Sequence, residues 1–367
     1  MIPSKPSITE ERLTAALQPI RQFVLAQALY HFISMGIQDR LAQATALTIH
    51  DLSDDLNLNE NRLGGFLAYL ANEGFVELLA EGGVRLTAVG ATISAFQPWY
   101  TLLVGGYAQT FLELPKALAR DGPYADRNSS QVGLGSCGIS QYDALPMTRS
   151  LLERIAGSWR TVVDLGCGDG SYLLDLCRSL PGVRGIGLDP DPNSVAAARR
   201  TAEKYGIADR VNIRVGGIPE LPDLGAEVGP FCFITAFVLQ EVLEQSGRHA
   251  IVELLRLSFG RYPDACWIVI EVDHRPDDPS VMSRGLGLAY YNPYYLIHQL
   301  TQQKLERVAF WHEVFREAGL RVLAVEHPDP SYDSLALKVG FLLTRDGSIF
   351  GRGPYASDES GLMTGGA

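Results

Sequence analysis

From Trp159 onward, short apolar runs alternate with longer stretches in which apolar residues recur at helical spacing. The runs are TVVDLG (161–166), GIGLD (185–189), RVNIRVG (210–216), FCFITAF (231–237) and CWIVIEV (266–272). Strands that alternate with helices in this way predict a doubly wound α/β domain, a mainly parallel sheet with right-handed crossovers and helices on both faces. Ligands in such sheets sit beyond the carboxyl ends of the strands. Between Glu10 and about Ala91 the rhythm is helical instead. Leu52, Leu56, Leu63, Leu67 and Leu70 fall near helical spacing, Gly74 ends a helix, and VRLTAVG reads as one strand of a small hairpin. That is the order of a winged helix.

Upstream of the wing, ITEERLTAALQPIRQFVLAQALYHFISMGI (8–37) is apolar around much of its circumference. A surface helix shows one stripe, so this one is expected to be enclosed by other helices, those of a second subunit among them, and the chain to be a homodimer. Residues 96–155 form a mostly helical linker with a glycine-rich break at QVGLGSCGIS (131–140). Such a break either lines a ligand cavity or is an ordinary interdomain loop. The expected organisation is a mostly α-helical, winged-helix-like domain over 1–95, the linker over 96–155, and the α/β domain over 156–345. The Gly-, Ser- and Asp-rich tail, 346–367, is expected to be mobile or to strap the surface.

A chain of 367 residues exceeds the size at which one core usually keeps growing, in keeping with two domains. Hydrophobic residues at 46% with 20% charged are the proportions of a soluble globular protein. A net charge of −11 argues against nucleic acid or an anionic membrane as partner, and leaves a small cationic ligand open. Within residues 44–90 two basic residues, Arg62 and Arg85, face seven acidic ones, so the winged helix reads as structural. No apolar run is long enough to span a bilayer, and MIPSKPSITEERL lacks the parts of a secretion signal, so a cytoplasmic protein is expected. Cys137, Cys167, Cys177, Cys232 and Cys266 form an odd set without a CxxC pair, which predicts buried thiols.

The first strand of the α/β region runs into VVDLGCGDGSYLLDL, with Asp164, Gly166, Gly168 and Gly170 in a D-x-G-x-G-x-G pattern. Glycines let the chain turn tightly and let a ligand approach where a Cβ would intrude. A dinucleotide fingerprint would place a third glycine where Ser171 stands, and Asp164 puts an anion where a phosphate is unwelcome. Asp189 ends the second strand, nineteen residues after Gly170, where a carboxylate can accept both hydroxyl hydrogens of a ribose.

With these two motifs, residues 159–345 resemble the class I S-adenosylmethionine-dependent methyltransferases. The resemblance implies a Rossmann-like domain in which Asp164, Gly166, Cys167, Gly168 and Gly170 hold the methionine part of the cofactor and Asp189 the ribose. It also counts Pro190, Gly217, Ile218 and Phe237 as cofactor contacts. Many relatives carry a Gly-Asp pair near the adenine; Gly216-Gly217 stand there in this chain. The winged-helix dimerisation domain in front is similar to that of the small-molecule O-methyltransferases, whose partner subunit contributes to the substrate pocket. Those enzymes commonly place a His-Asp or His-Glu pair after the fourth strand. Here FVLQEVLEQ offers Gln240-Glu241, and an amide takes no proton at neutral pH.

The segments QPIRQFVLAQALYHF, GLGSCGISQYDALPMTRSLL and YYNPYYLIHQL are similar to those of the α-keto acid C-methyltransferases. That resemblance implies methyl transfer to the carbon beside a keto group, on a substrate such as 2-ketoarginine (5-guanidino-2-oxopentanoate). Such a carbon is nucleophilic only as an enol or enolate, so a base and a group that polarises the ketone are needed. Histidine suits the first task near pH 7; a divalent metal such as zinc, chelated by the keto acid, would serve the second. His298, in the tyrosine-rich segment, His312, in RVAFWHEVFREAGL, and Gln240 are the candidates for catalysis and for metal ligation. Packing beside Trp311 and Phe315 is an equal reading of His312.

Glu241, Tyr291, Tyr295, Ser136 and Arg149 are the substrate-contact candidates, and Tyr290 and Tyr294 either join a pocket wall or bury a helix face. Arg21, Arg149 and Arg284 could meet the carboxylate of a 2-ketoarginine-like substrate, and Asp143 or Glu113 its guanidinium. O-methylation of an aromatic or polyketide metabolite, and a cofactor-sensing transcriptional regulator, are the alternatives.

Overall fold

A computed structural model describes residues 7–155, 159–180, 182–218, 223–224 and 229–345. The expectation for the tail, 346–367, lies outside the described residues. The chain forms two compact units, one of the described residues up to Ala108 together with Asn128–Ser136, the other of Gln109–Arg127 and the described residues from Cys137 onward.

The first unit opens with α1 (Ile8–Ser34), started by Ser7, whose Oγ accepts the N–H of Glu10 at 3.2 Å. Its last turns bury Leu29, Phe32 and Ile33, while Leu13, Leu17, Ile20, Phe23 and Val24 are exposed. β1 (Leu47–Thr48) leads into α2 (Ile49–Asp55), capped by Thr48, and α3 (Glu60–Asn72), capped by Asn59. β2 (Val76–Leu78) and β3 (Gly83–Leu86) follow, and the three strands pair antiparallel in the order β1-β3-β2. Leu52, Leu63, Leu67 and Leu70 close on Phe32 and Val84, so the periodic leucines are the core of a helix–turn–helix with a wing.

One expectation is corrected here. QVGLGSCGIS is not a break but lies within a helix, α4 (Ser129–Ser140). A Cβ at Gly135 would run into the backbone of Leu102, and one at Gly106 would come within 2.7 Å of Val132. The glycines serve close contact between backbones, not a turn.

The second unit contains α5 (Ala144–Arg154), β4 (Thr161–Leu165), α6 (Ser171–Ser179), β5 (Arg184–Asp189), α7 (Pro192–Lys204), β6 (Val211–Val215) and β7 (Phe231–Ala236). Then come α8 (Leu239–Arg261), interrupted at Gly247 with φ of 78°, β8 (Cys266–Val272), α9 (Asn292–Leu300), α10 (Val308–Glu317), β9 (Arg321–Glu326) and β10 (Lys338–Thr344). The seven strands β4 to β10 form one sheet in the order β6-β5-β4-β7-β8-β10-β9, parallel through β8 and antiparallel at β10 and β9. Every residue of β4, β8 and β10 is buried, because helices cover both faces. Leu151, Leu173, Ile213 and Ile268 pack on one face; Phe233, Phe259, Trp311 and Phe341 pack on the other.

The fold is thus a Rossmann-like mixed sheet preceded in the chain by a mostly helical N-terminal region. β9 and β10 are additions that the sequence pattern did not supply. Four of the five cysteines are buried and all are free. Among the described residues no helix is long and apolar enough to cross a membrane.

Candidate active site

The chain leaves β4 through three residues in the left-handed region, Gly166 (φ 82°), Gly168 (φ 54°) and Gly170 (φ 74°), before α6 begins. At Gly166 a Cβ would stand 2.7 Å from Val238, and at Gly170 2.7 Å from Ala198; both glycines are required by packing. At Gly168 it would meet only Cys137 Sγ, at 3.7 Å, which leaves room beside bare backbone. The loop is held by Asp189, whose carboxylate accepts the N–H of Gly168 at 2.8 Å and that of Asp191 at 2.9 Å. Asp191 in turn caps α7 through the N–H groups of Asn193 and Ser194.

Asp164 is buried and receives no hydrogen bond among the described residues. Burial pushes its carboxyl up to about 7, and the charge of Asp189 adds to the rise. Asp189 is also raised, chiefly by burial, against the pull of its N–H donors. Among the described residues no cation pairs with either carboxylate, and an acid pair beside bare backbone is chemistry that suits a ligand with a positive end and vicinal hydroxyls, such as S-adenosylmethionine. Pro190 directly follows Asp189, and Gly217 and Ile218, half-buried, follow β6. Phe237 sits at φ 60° just after β7 with its N–H on the Ile270 oxygen at 2.8 Å, a constrained position at the carboxyl edge of the sheet.

Next to this edge, α8 starts on Glu271, whose Oε1 accepts the N–H of Leu239 at 3.0 Å. Glu271 is fully enclosed, and burial pushes its carboxyl up to about 8 although backbone N–H groups of Leu239 and Gln240 oppose the shift. The start of α8 thereby aims Gln240 at His298. Gln240 Nε2 lies 3.3 Å from His298 Nε2, and His298 Nδ1 lies 2.8 Å from the Tyr294 oxygen. A carbonyl only accepts, so Nδ1 carries the proton, Nε2 is bare, and the amide N–H of Gln240 donates to it. Gln240 Oε1 is then left buried without a partner. Tyr294 stacks on the imidazole at 3.8 Å. Burial holds His298 neutral, pushed down to about 3.

His312 does not join this pair. It is exposed on α10, edge-on to Phe341 at 5.4 Å, because Trp311, Val314 and Phe315 are the face of that helix turned to the sheet. Among the described residues no three His, Cys, Asp or Glu side chains converge to hold a metal; of the candidate ligands, Gln240 and His298 are adjacent while His312 lies exposed on α10.

Glu241 is tied by Arg127 Nη2 at 2.7 Å and Gln303 Nε2 at 3.0 Å. The tyrosines are buried: Tyr291 gives its hydroxyl to Asp333, and Tyr295 donates to the Asp273 oxygen at 2.6 Å while accepting from the Arg275 N–H. Arg149, a substrate-contact candidate, pairs with Asp175 of α6 at 2.8 Å. Arg21 is engaged by Glu73, Glu113 accepts the Asp126 N–H, Arg284 is exposed, and Ser136 lies half-buried within α4. Asp143 pairs with Lys338. Sequence reasoning missed Lys338 and Glu271. Each is a lone charge at the end of an otherwise apolar strand, KVGFLLT and CWIVIEV, and that oddity was the available signal.

Residues 162–258 match the family model described as the methyltransferase domain. The chain is 47% identical over 337 residues to the 2-ketoarginine methyltransferase of Streptomyces arginensis, covering 92% of this chain and 97% of that one. It is 27% identical over 296 residues to the indolepyruvate C-methyltransferase of Streptomyces griseus, covering 78% and 82%. Its fold is similar to an O-methyltransferase of neocarzinostatin biosynthesis (NcsB1) solved with S-adenosylmethionine, with a TM-score of 0.57 at 18% identity over 87% of this chain and 95% of that one.

Proposed function

We infer that this chain, which belongs to the class I S-adenosylmethionine-dependent methyltransferases, transfers a methyl group to the carbon beside the keto group of an α-keto acid. The observation that carries the reading is the identity to 2-ketoarginine methyltransferase along nearly the whole of both chains. We propose 2-ketoarginine itself as the substrate and 3-methylated 2-ketoarginine as the product.

When bound, S-adenosylmethionine supplies an electrophilic methyl group on a sulfonium. Asp164 would meet its ammonium, Asp189 its ribose, and the bare backbone at Gly168 would let it lie close. His298 is the proposed acceptor of the proton lost from the β-carbon: its hydrogen bond to Tyr294 leaves Nε2 unprotonated, and Nε2 exchanges the Gln240 N–H for the substrate's C–H when the keto acid is bound. A neighbouring substrate carboxylate in the same enclosed space raises the basicity of a buried imidazole, so His298 gains proton affinity when the keto acid is present. Gln240 orients the ring until the substrate enters, and its Oε1 is offered to an enol hydroxyl. No step is routed through a metal, since among the described residues no three His, Cys, Asp or Glu side chains come together to hold one.

A homodimer is part of the proposal, supported by the uncovered apolar residues of α1. The test is incubation with S-adenosylmethionine and, separately, 2-ketoarginine, indolepyruvate and a catechol, followed by NMR location of the new methyl. A methyl coupled to the proton on C3 of the keto acid is expected. A methyl on oxygen, or transfer to the catechol alone, overturns the reading.

A further inference from the structure

We propose that Lys338 binds the carboxylate of the α-keto acid, with Asp143 holding its ammonium in place. This deepens the reading above and rests on it. Lys338 opens β10 opposite Val272, the last residue of β8, and so stands at the edge of the sheet where ligands are received. It is 4% exposed and Asp143 is 3% exposed. An ammonium has three N–H donors, and among the described residues Asp143 is its one hydrogen-bond acceptor. The other oxygen of Asp143 takes the N–H of Ala144 at the start of α5. The carboxylate of the pair is therefore satisfied and the cation is not.

The rings of Tyr290 and Phe237 lie 5.0 and 6.0 Å from Nζ, close enough for their π faces to attract the ammonium without replacing an anionic oxygen. A buried charge whose remaining donors go unmet is costly, so the missing component is an oxygen acceptor, and an anionic one suits a cation best. The surroundings say which reactant brings it. Tyr290 lies 5.5 Å from Tyr294, and Tyr294 stacks on His298, so an aromatic floor runs from Lys338 to the proposed proton acceptor. A keto acid lying along that floor puts its carboxylate at Lys338 and the carbon to be methylated toward His298. The methionine carboxylate of the cofactor has the same chemistry, so the test separates the two sources.

Lys338→Met keeps the volume and removes the donors, but leaves Asp143 alone in the interior. The paired variant Asp143→Asn/Lys338→Met removes both charges and guards against a loss that is only unfolding. In each folded variant, calorimetry measures S-adenosylhomocysteine binding to the protein and 2-ketoarginine binding to the S-adenosylhomocysteine-saturated protein. The expected result is 2-ketoarginine binding weakened about 10- to 100-fold with S-adenosylhomocysteine binding unchanged. Weakened S-adenosylhomocysteine binding with 2-ketoarginine binding unchanged overturns the assignment and gives Lys338 to the cofactor carboxylate. No change in either leaves the pair purely structural and overturns it outright. Wild-type protein that takes up S-adenosylhomocysteine but no keto acid fails the substrate reading itself, a result distinct from any effect of the substitutions.

Discussion

His298 gives its Nδ1–H to the main-chain oxygen of Tyr294, 2.8 Å away and one helical turn earlier. That single bond selects the tautomer, leaves Nε2 with a lone pair, and fixes which way the Gln240 amide must face. If His298 is the proton acceptor, His298→Ala lowers the turnover of 2-ketoarginine by at least about 100-fold, the scale of a lost general base. Binding of S-adenosylhomocysteine stays intact. His312→Ala, at an exposed position, changes turnover by less than about twofold, as surface substitutions away from a site usually do. Steady-state rates and calorimetry on the two proteins check both halves, and equal losses in the two would end the assignment.

The unpartnered carboxyl of Asp164 makes cofactor affinity depend on pH. Burial and Asp189 lift it to about 7 in the cofactor-free protein, and an ammonium binds to its ionised form. A proton must therefore leave when the cofactor binds below that value. Affinity for S-adenosylmethionine should rise about tenfold per pH unit up to roughly pH 7 and level off above it. Asp164→Asn should bind more weakly and show a flat profile. Titrations at pH 5.5 to 8.5, in buffers of different ionisation heat, read both the affinity and the proton released.

β4, β5, β7 and β8 were legible because burial leaves continuous apolar runs such as CWIVIEV, and β6 through its alternation; β10, equally buried, was missed because it lies outside the strand–helix alternation. β9 was missed too, since its residues alternate between exposed and half-covered positions at an edge. The glycine loop and Asp189 were legible because the constraint is local: a tight turn and a carboxylate one strand later. QVGLGSCGIS misled because glycine marks a turn and a close helix contact with the same letter. Gln240 and His298, 58 residues apart, were legible together because the resemblance marked both segments, whereas Asp143 and Lys338, 195 apart, carry no local mark of their pairing and only folding brings them together.

The three loop glycines should fail in different ways. Alanine at any of them adopts a left-handed backbone at a cost of roughly 1–2 kcal/mol. Gly166→Ala and Gly170→Ala add a clash, at 2.7 Å to Val238 and Ala198, and should lower the melting temperature most. Gly168→Ala has space for its methyl in the cofactor-free protein and fills the room proposed for the methionine chain. It should melt closer to wild type yet bind S-adenosylhomocysteine more weakly than its stability loss explains. Thermal unfolding with and without ligand separates the two effects.

Glu271 sets a pH dependence of stability. Its folded-state carboxyl sits near 8, well above the ordinary range near 4, so the folded chain holds a proton that the unfolded chain releases. The resulting stability is fully present below the ordinary value and is lost as pH rises through about 8. Cofactor-free protein should therefore melt at progressively lower temperature from pH 5 to pH 9, with Asp164 contributing over the lower part of that interval. Glu271→Gln keeps a carbonyl to accept the Leu239 N–H and has no proton to lose, so its melting curve should be flatter above pH 7. An unchanged slope would place the effect elsewhere.

The exposed residues of α1 carry the last prediction. Leu13, Leu17, Ile20 and Val24 recur at three- and four-residue intervals, so they share one side of the helix, with Phe23 beside them. Phe23 alone is 64% exposed. Burying a large apolar side chain in an interface is worth about 1.5–3 kcal/mol, so a stripe of this kind favours a second copy strongly at micromolar concentration. Light scattering of wild-type protein should give twice the chain mass. Leu17→Glu combined with Phe23→Glu would bury two like charges in each copy and should give a monomer that keeps its helical signal, because both positions face outward in the single chain. A doubly substituted protein that remains dimeric would remove α1 from the interface, and a monomeric wild type would remove the interface altogether.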